Sequence, residues 1–264
     1  MTANDKAWLS RVEQKVKLFS NRYGVLYRNK QRERAASFEI GCLHMLLGNY
    51  ESVGEISPKN LTDIGEFRYL TSPTGNPNNF SWIECTIDGA TFQIRQQVRV
   101  KSHWHNDIAF CPDIVVLKPK AKIDSENPPD YANGKKPFFS VQSNQVVSAH
   151  ECKSLAPFPE LLVSFTGLFQ AAHSWFDPNK PKRHVKLKGK HLAPCLFIGG
   201  DSRPIQRRMI GALESVFPIN IVTGLHWGRF KLDRKNDKAK YIDLDPPTTP
   251  ITFGNSKRRL IITS

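Results

Sequence analysis

Two short apolar runs in this chain end in ionisable side chains, and that arrangement constrains what the chain can fold into. The first run ends at Pro112-Asp113, and the second closes on Glu151-Cys152-Lys153. Successive side chains of a strand alternate faces, so Glu151 and Lys153 point one way and Cys152 the other. A sheet that set the Asp113 strand beside the Glu151 strand would bring two carboxylates and one ammonium to a single spot. Such a spot is a cradle for a hard divalent cation, with a lysine placed to touch a water or a phosphate oxygen.

The surrounding pattern is that of an α/β chain. Leu9, Val12, Val16 and Phe19 recur at helical spacing, and a second helix is predicted from about Gln31 to Gly48 around Phe38, Ile40, Leu43, Met45, Leu46 and Leu47. Glu39 shares the face of Leu43 and Leu46, where a carboxylate is costly unless something pairs with it. Either Glu39 joins a site beneath the helix, or it lies at the edge of the stripe and reaches water. Strands are expected over 80–86 and 91–101, joined at Asp88-Gly89, a strong hairpin signal. Alternation along the second strand puts Gln93, Arg95, Gln97, Arg99 and Lys101 on one wet, basic face. Phe92, Ile94, Gln96, Val98 and Val100 fall on the other.

The segment 107–117 carries the Pro-Asp pair, and 118–137, broken by Pro119, Pro128, Pro129, Gly134 and Pro137, reads as an exposed loop. A strand at 146–155, a helix at 157–176, a strand at 192–198, a helix at 204–216 and a strand at 219–225 follow. An antiparallel start followed by a crossover helix implies a mixed α/β sheet.

Asp113 and Glu151-x-Lys153, in this order of elements, resemble the PD-(D/E)xK nuclease superfamily over roughly 31–225. The resemblance implies an α/β restriction-endonuclease-like core, with a mixed central β-sheet flanked by helices. It also implies metal-dependent hydrolysis of phosphodiester bonds, most often in DNA, with Mg²⁺ or Mn²⁺ as the cofactor. Asp113, Glu151 and the backbone carbonyl of Cys152 would be the metal ligands. Lys153 would orient the attacking water or stabilise charge on the pentacovalent phosphorus, and Glu39 would be the acidic residue that the superfamily often carries on the helix before its sheet. Residues 1–30 then form a basic helical extension, 31–228 the nuclease-like domain, and 229–264 a basic tail packed on or near the core.

Charge points to the partner. The chain carries 38 Lys and Arg against 24 Asp and Glu, a formal net charge of +14, which suits a polyanion. No apolar run approaches the roughly 20 residues of a membrane span. The start, Met1-Thr2-Ala3-Asn4-Asp5, lacks the pattern of an export signal, so a cytoplasmic protein bound to nucleic acid, DNA above all, is expected rather than one on a membrane. Two sets of cations are expected on the phosphate backbone. One is the acid-free stretch containing Lys182, Arg183, Lys186, Lys188 and Lys190, and the other is Arg95, Arg99 and Lys101 on the wet sheet face. A second copy of the chain or a partner subunit stays open. The five cysteines are scattered singly, with no CxxC pair, and are read as reduced, mostly buried thiols.

Other motifs carry less. His103 and His105 with Asp107 have spacing for zinc, but 102–106 reads as a turn and offers no fourth ligand. Gly199-Gly200-Asp201-Ser202 lacks the spacing and the lysine of a P-loop, and reads as a strand-to-helix turn in which Asp201 or Ser202 caps the helix. No Gly-x-Ser-x-Gly elbow is present. Two functions compete with a nuclease. A catalytically silent nucleic-acid-binding or assembly subunit that keeps the fold would need the positive surface but not the converging site residues. A basic RNA-associated protein would carry the motif by coincidence, and no dedicated RNA module is evident.

Overall fold

The computed structural model describes residues 25–26, 34–65, 67–73, 75–126, 137–176, 191–225, 229–232, 240–243 and 259–260. The helical spacing around Leu43 and Leu46 becomes helix α1, Arg34–Glu51. Phe38, Ile40, Leu43, Leu46 and Tyr50 are almost wholly buried on it, so it is a core helix rather than a surface one. It lies across one face of a sheet formed by β1 (Glu55–Lys59), β2 (Trp82–Ile87), β3 (Ala90–Gln96), β4 (Ile114–Leu117), β5 (Val146–Lys153), β6 (Cys195–Ile198), β7 (Asn220–Thr223), β8 (Arg229–Leu232) and β9 (Lys240–Asp243).

These nine strands stand side by side in chain order. Neighbours from β1 to β5 are antiparallel, β5, β6 and β7 are parallel, and β8 and β9 return antiparallel. The chain is therefore α/β with a mixed sheet, as its pattern predicts. Parallel neighbours need a crossover, and helices α2 (Pro159–Ala172) and α3 (Pro204–Val216) supply the two that are required. Alternation along β6 divides the core. Cys195 and Phe197 join the cluster under α1, while Leu196 and Ile198 pack with Leu162, Phe165 and Phe169 of α2 and Ile210 of α3.

A second, four-stranded sheet lies over the face opposite α1. Its strands run in the order Ala109–Phe110, Arg99–Lys101, Phe138–Gln142 and Asp124–Glu126. Val98, Val100 and Val141 seal it onto Val115 and Leu117 of β4 and Ala149 of β5.

This second sheet accounts for most departures from the sequence reading. The continuous strand expected over 91–101 breaks at Gln97, whose φ of 52° ends β3, and the chain resumes at Arg99 in the other sheet. Arg95 is consequently not on a wet face: it is 7% exposed, its guanidinium lies 3.9 Å over the Trp82 ring, and its Nε donates to Gln93 Oε1 at 2.8 Å. Burial lowers its pKa to about 10. The segment 107–117 divides too, so Asp113 stands just before β4 rather than at the end of a strand.

Part of the expected loop at 118–137 is a strand, because Asp124–Glu126 pairs with Phe138–Ser140. The unexpected β1 holds Pro58 at the sheet edge, the place where a missing N–H is tolerated. The cap of α3 is not Asp201 or Ser202; the Arg203 N–H donates to Gln206 Oε1 at 3.0 Å, one turn into the helix. The C-terminal segment supplies β8 and β9 and a short pairing of Arg259–Leu260 with His191–Leu192. The helix expected over residues 5–19 lies outside the described residues.

Candidate active site

The register of β4 on β5 pairs Ile114 with His150, which brings Asp113, one residue before β4, to the end of β5 where Glu151 and Lys153 stand. Glu151 and Lys153 pair with Leu196 and Ile198 and so face away from α1, whereas Cys152 pairs with Phe197 and turns its thiol into the α1 cluster. There it meets Cys42, and burial pushes both thiols up, Cys152 well above its ordinary value. The parity read from the sequence is the parity in the fold.

Lys153 Nζ lies 2.6 Å from Glu151 Oε2 and 3.3 Å from Asp113 Oδ2, so the two carboxylates are no farther apart than the sum of those distances. Glu151 and Asp113 are also within hydrogen-bonding reach of each other. The Cys152 backbone N–H donates to Asp113 Oδ2 at 2.7 Å, which fixes that oxygen. The other oxygen, Oδ1, accepts from Gln97 Nε2 at 3.0 Å, and the same amide nitrogen donates to Glu39 Oε2 at 3.1 Å. Glu39 therefore does not reach out to water at the edge of its stripe; it joins the cluster from the second turn of α1, through Gln97.

Gln97 is the site residue that the sequence reading missed. Its own N–H donates to the Asp113 carbonyl at 3.1 Å, and Cys111 Sγ donates to its Oε1 at 3.7 Å. A left-handed backbone at a non-glycine residue costs on the order of 1–3 kcal/mol, and here that conformation aims the carboxamide between two carboxylates. One trace of it is visible in the sequence. Gln96 falls where the alternation of Phe92 and Ile94 calls for an apolar side chain, which marks the strand as ending there.

The cluster holds more negative charge than Lys153 neutralises. Burial, and then the Asp113 carboxylate, raise Glu151 from 4.5 to about 7. The same two causes raise Glu39 from 4.5 to about 8, with the Gln97 hydrogen bond working against them. Burial works against the Lys153 ammonium, yet Asp113 and Glu151 hold its pKa above the ordinary value. Near neutral pH, Glu39 keeps its proton, Glu151 is poised, and Lys153 is a fixed cation. Among the described residues, no group of three or more His, Cys, Asp or Glu side chains is arranged as a ready-made metal cluster. The Gln97 amide donates to both Glu39 and Asp113, and the Lys153 ammonium pairs with both Asp113 and Glu151.

The expected nucleic-acid contacts fare unevenly. Arg95 is buried, as described above. Arg99 and Lys101 lie in the second sheet, Arg99 with its guanidinium 4.5 Å over the Phe138 ring and Lys101 paired with Glu126. Lys182, Arg183, Lys186, Lys188 and Lys190 lie outside the described residues. His105 lies 3.6 Å from Asp107 on an exposed turn, and among the described residues no ligand set of a zinc site surrounds it. Among the described residues, no helix is long and apolar enough to cross a membrane. No protein-family model matches the chain, and no curated protein or solved structure matches it either.

Proposed function

We propose that this chain is a metal-dependent nuclease with a restriction-endonuclease-like core that hydrolyses phosphodiester bonds, with DNA as the favoured substrate. The observation that carries the proposal is the convergence of Asp113, Glu151 and Lys153 at the ends of neighbouring strands, with Glu39 tied in through Gln97. Crowding carboxylates in a half-dry site is costly, and a subunit that only bound nucleic acid would gain nothing from it. The net charge of +14 supports a polyanionic substrate.

The donor set fits a hard divalent cation. Its groups are carboxylate oxygens, burial and then the Asp113 charge raise two of the carboxyls, Glu39 and Glu151, and an ammonium already pairs with both Asp113 and Glu151. Asp113 and Glu151 would hold Mg²⁺ or Mn²⁺, with the Cys152 carbonyl as a further oxygen. When bound, the ion supplies an activated water and neutralises charge on the phosphoryl oxygens.

The remaining chemistry belongs to the chain. Lys153, kept protonated by its neighbours, serves as an electrostatic clamp on a phosphoryl oxygen or on the water, and not as a general base. Gln97 holds Asp113 Oδ1, and the Cys152 N–H holds Oδ2, so that carboxylate is preorganised from both sides. Glu39, linked to Asp113 through the shared Gln97 amide, would help position that carboxylate from the helix side.

The test is incubation of the full chain with circular duplex DNA, single-stranded DNA and RNA, each with Mg²⁺ or with EDTA. Cleavage is expected in Mg²⁺ and not in EDTA. Folded protein that cuts none of the three in Mg²⁺ or Mn²⁺ would leave the silent binding subunit as the reading.

A further inference from the structure

We infer that the outer face of the four-stranded sheet, with the cleft at its far end, is a track for a single-stranded segment of nucleic acid leading to the active site. That role as a lead-in rests on the nuclease reading; the binding itself does not.

The parallel register pairs Arg99 with Ser140 and Lys101 with Gln142, so these residues and Phe138 share one face, on which Phe138 is exposed, Arg99, Lys101 and Gln142 are half-buried, and Ser140 is buried with its hydroxyl donating to Glu126. Val100 and Val141 point the other way, into the core. The face begins beside the active site, since Arg99 follows Gln97 by two residues. From Phe138 to Gln142 it extends on the order of 13 Å at about 3.3 Å per residue.

Beyond Lys101 the chain turns, and His103, Trp104, His105, Gln142, Ser143 and Asn144 line a cleft of about 460 Å³. Two large aromatic rings are left in solvent along this path, Phe138 at 46% exposure and Trp104 at 55%. The Arg99 guanidinium lies over the first at 4.5 Å, and His103 flanks the second with ring centroids 5.8 Å apart.

Exposed aromatic rings interleaved with arginine are the means by which proteins hold unpaired bases, because every base has a face that stacks. The carboxamides of Gln142 and Asn144 offer donors and acceptors of the kind a base edge presents. A duplex hides the faces of its bases and could use neither ring. Charge on this face is modest, because Glu126 neutralises Lys101. Stacking therefore dominates here, and the salt dependence contributed by this face is shallow.

The test is fluorescence anisotropy of the full chain in EDTA, where no cleavage occurs. The probes are a labelled oligothymidylate, the matching oligouridylate and a blunt duplex of the same length. The single strands should bind more tightly than the duplex. Trp104→Ala and Phe138→Ala should each weaken single-strand binding by about tenfold and leave duplex binding and the melting temperature unchanged. The thymidylate and uridylate arms separate DNA from RNA as the source of the strand. Equal losses on single strand and duplex, or no loss on either, would overturn the track. Loss of single-strand binding in these variants, from a protein that never cleaves, would sink the nuclease and keep the track. Cleavage with unaltered single-strand binding in both variants would do the reverse.

Discussion

Replacing Glu151 with glutamine should make the protein more stable at alkaline pH while removing any nuclease activity. Glu151 is 7% exposed, and burial together with Asp113 raises its carboxyl from 4.5 in an unperturbed chain to about 7 in the fold. Below 4.5 it is protonated in both folded and unfolded chains and contributes no difference from an isosteric amide. As the pH climbs, the unfolded carboxyl ionises first, while the folded one keeps its proton until about 7, so wild-type stability falls across that window. Each unit of the gap is worth about 1.4 kcal/mol, so the loss reaches on the order of 3 kcal/mol by pH 9. That cost is already net of the attraction to Lys153, because the raised value includes it. Glutamine does not ionise, and its oxygen still accepts from Lys153, so Glu151→Gln escapes the loss. Thermal unfolding by circular dichroism at pH 5, 7 and 9 checks this. The variant should be only slightly ahead of wild type at pH 5, where about a quarter of the loss has accrued, and melt roughly 5–10 °C higher at pH 9. An advantage that is absent at pH 9, or equally large at pH 5, would refute the claim that carboxylate crowding governs this site.

Gln97→Val should cost on the order of 3 kcal/mol in urea denaturation, since a β-branched residue resists the left-handed backbone and two carboxylates lose their shared donor. An unchanged midpoint would remove Gln97 from the account. Gly200→Ala should destabilise by about 1–3 kcal/mol, because the added carbon would sit 2.6 Å from the Ala156 Cα. It should also slow any cleavage, since the Gly199 and Gly200 N–H groups tie down the Lys153 and Leu155 carbonyls at 2.8 and 3.0 Å; wild-type stability and rate together would contradict this.

What could be read from the sequence was local. The shared face of Glu151 and Lys153 follows from strand parity alone, and α3 occupies the predicted residues 204–216 because Pro204 fixes its start. Glu39 was readable as a carboxylate in need of a partner, but the partner was not. Gln97 reaches it only because one residue adopts a backbone that nothing in its own chemistry demands. The second sheet was hidden for a different reason. Its central pairing joins Arg99–Lys101 to Phe138–Gln142 in parallel, across a long separation with no hairpin signal. Alternation puts Arg95 on the correct side of β3, but neither the Trp82 ring over it nor the sheet covering that side follows from alternation, so its burial does not show in the pattern.

The most direct measurement is the single-turnover rate of DNA cleavage in Mg²⁺ for wild type, Asp113→Asn and Lys153→Met, with binding followed on the same DNA in EDTA. If the cluster is the hydrolytic centre, Asp113→Asn falls to background and still binds DNA, since it removes a negative charge from the path of the phosphate. Lys153→Met loses roughly 10²–10³ in rate with its fold intact. Cleavage by Asp113→Asn at the wild-type rate, with contaminating nuclease excluded, contradicts the account.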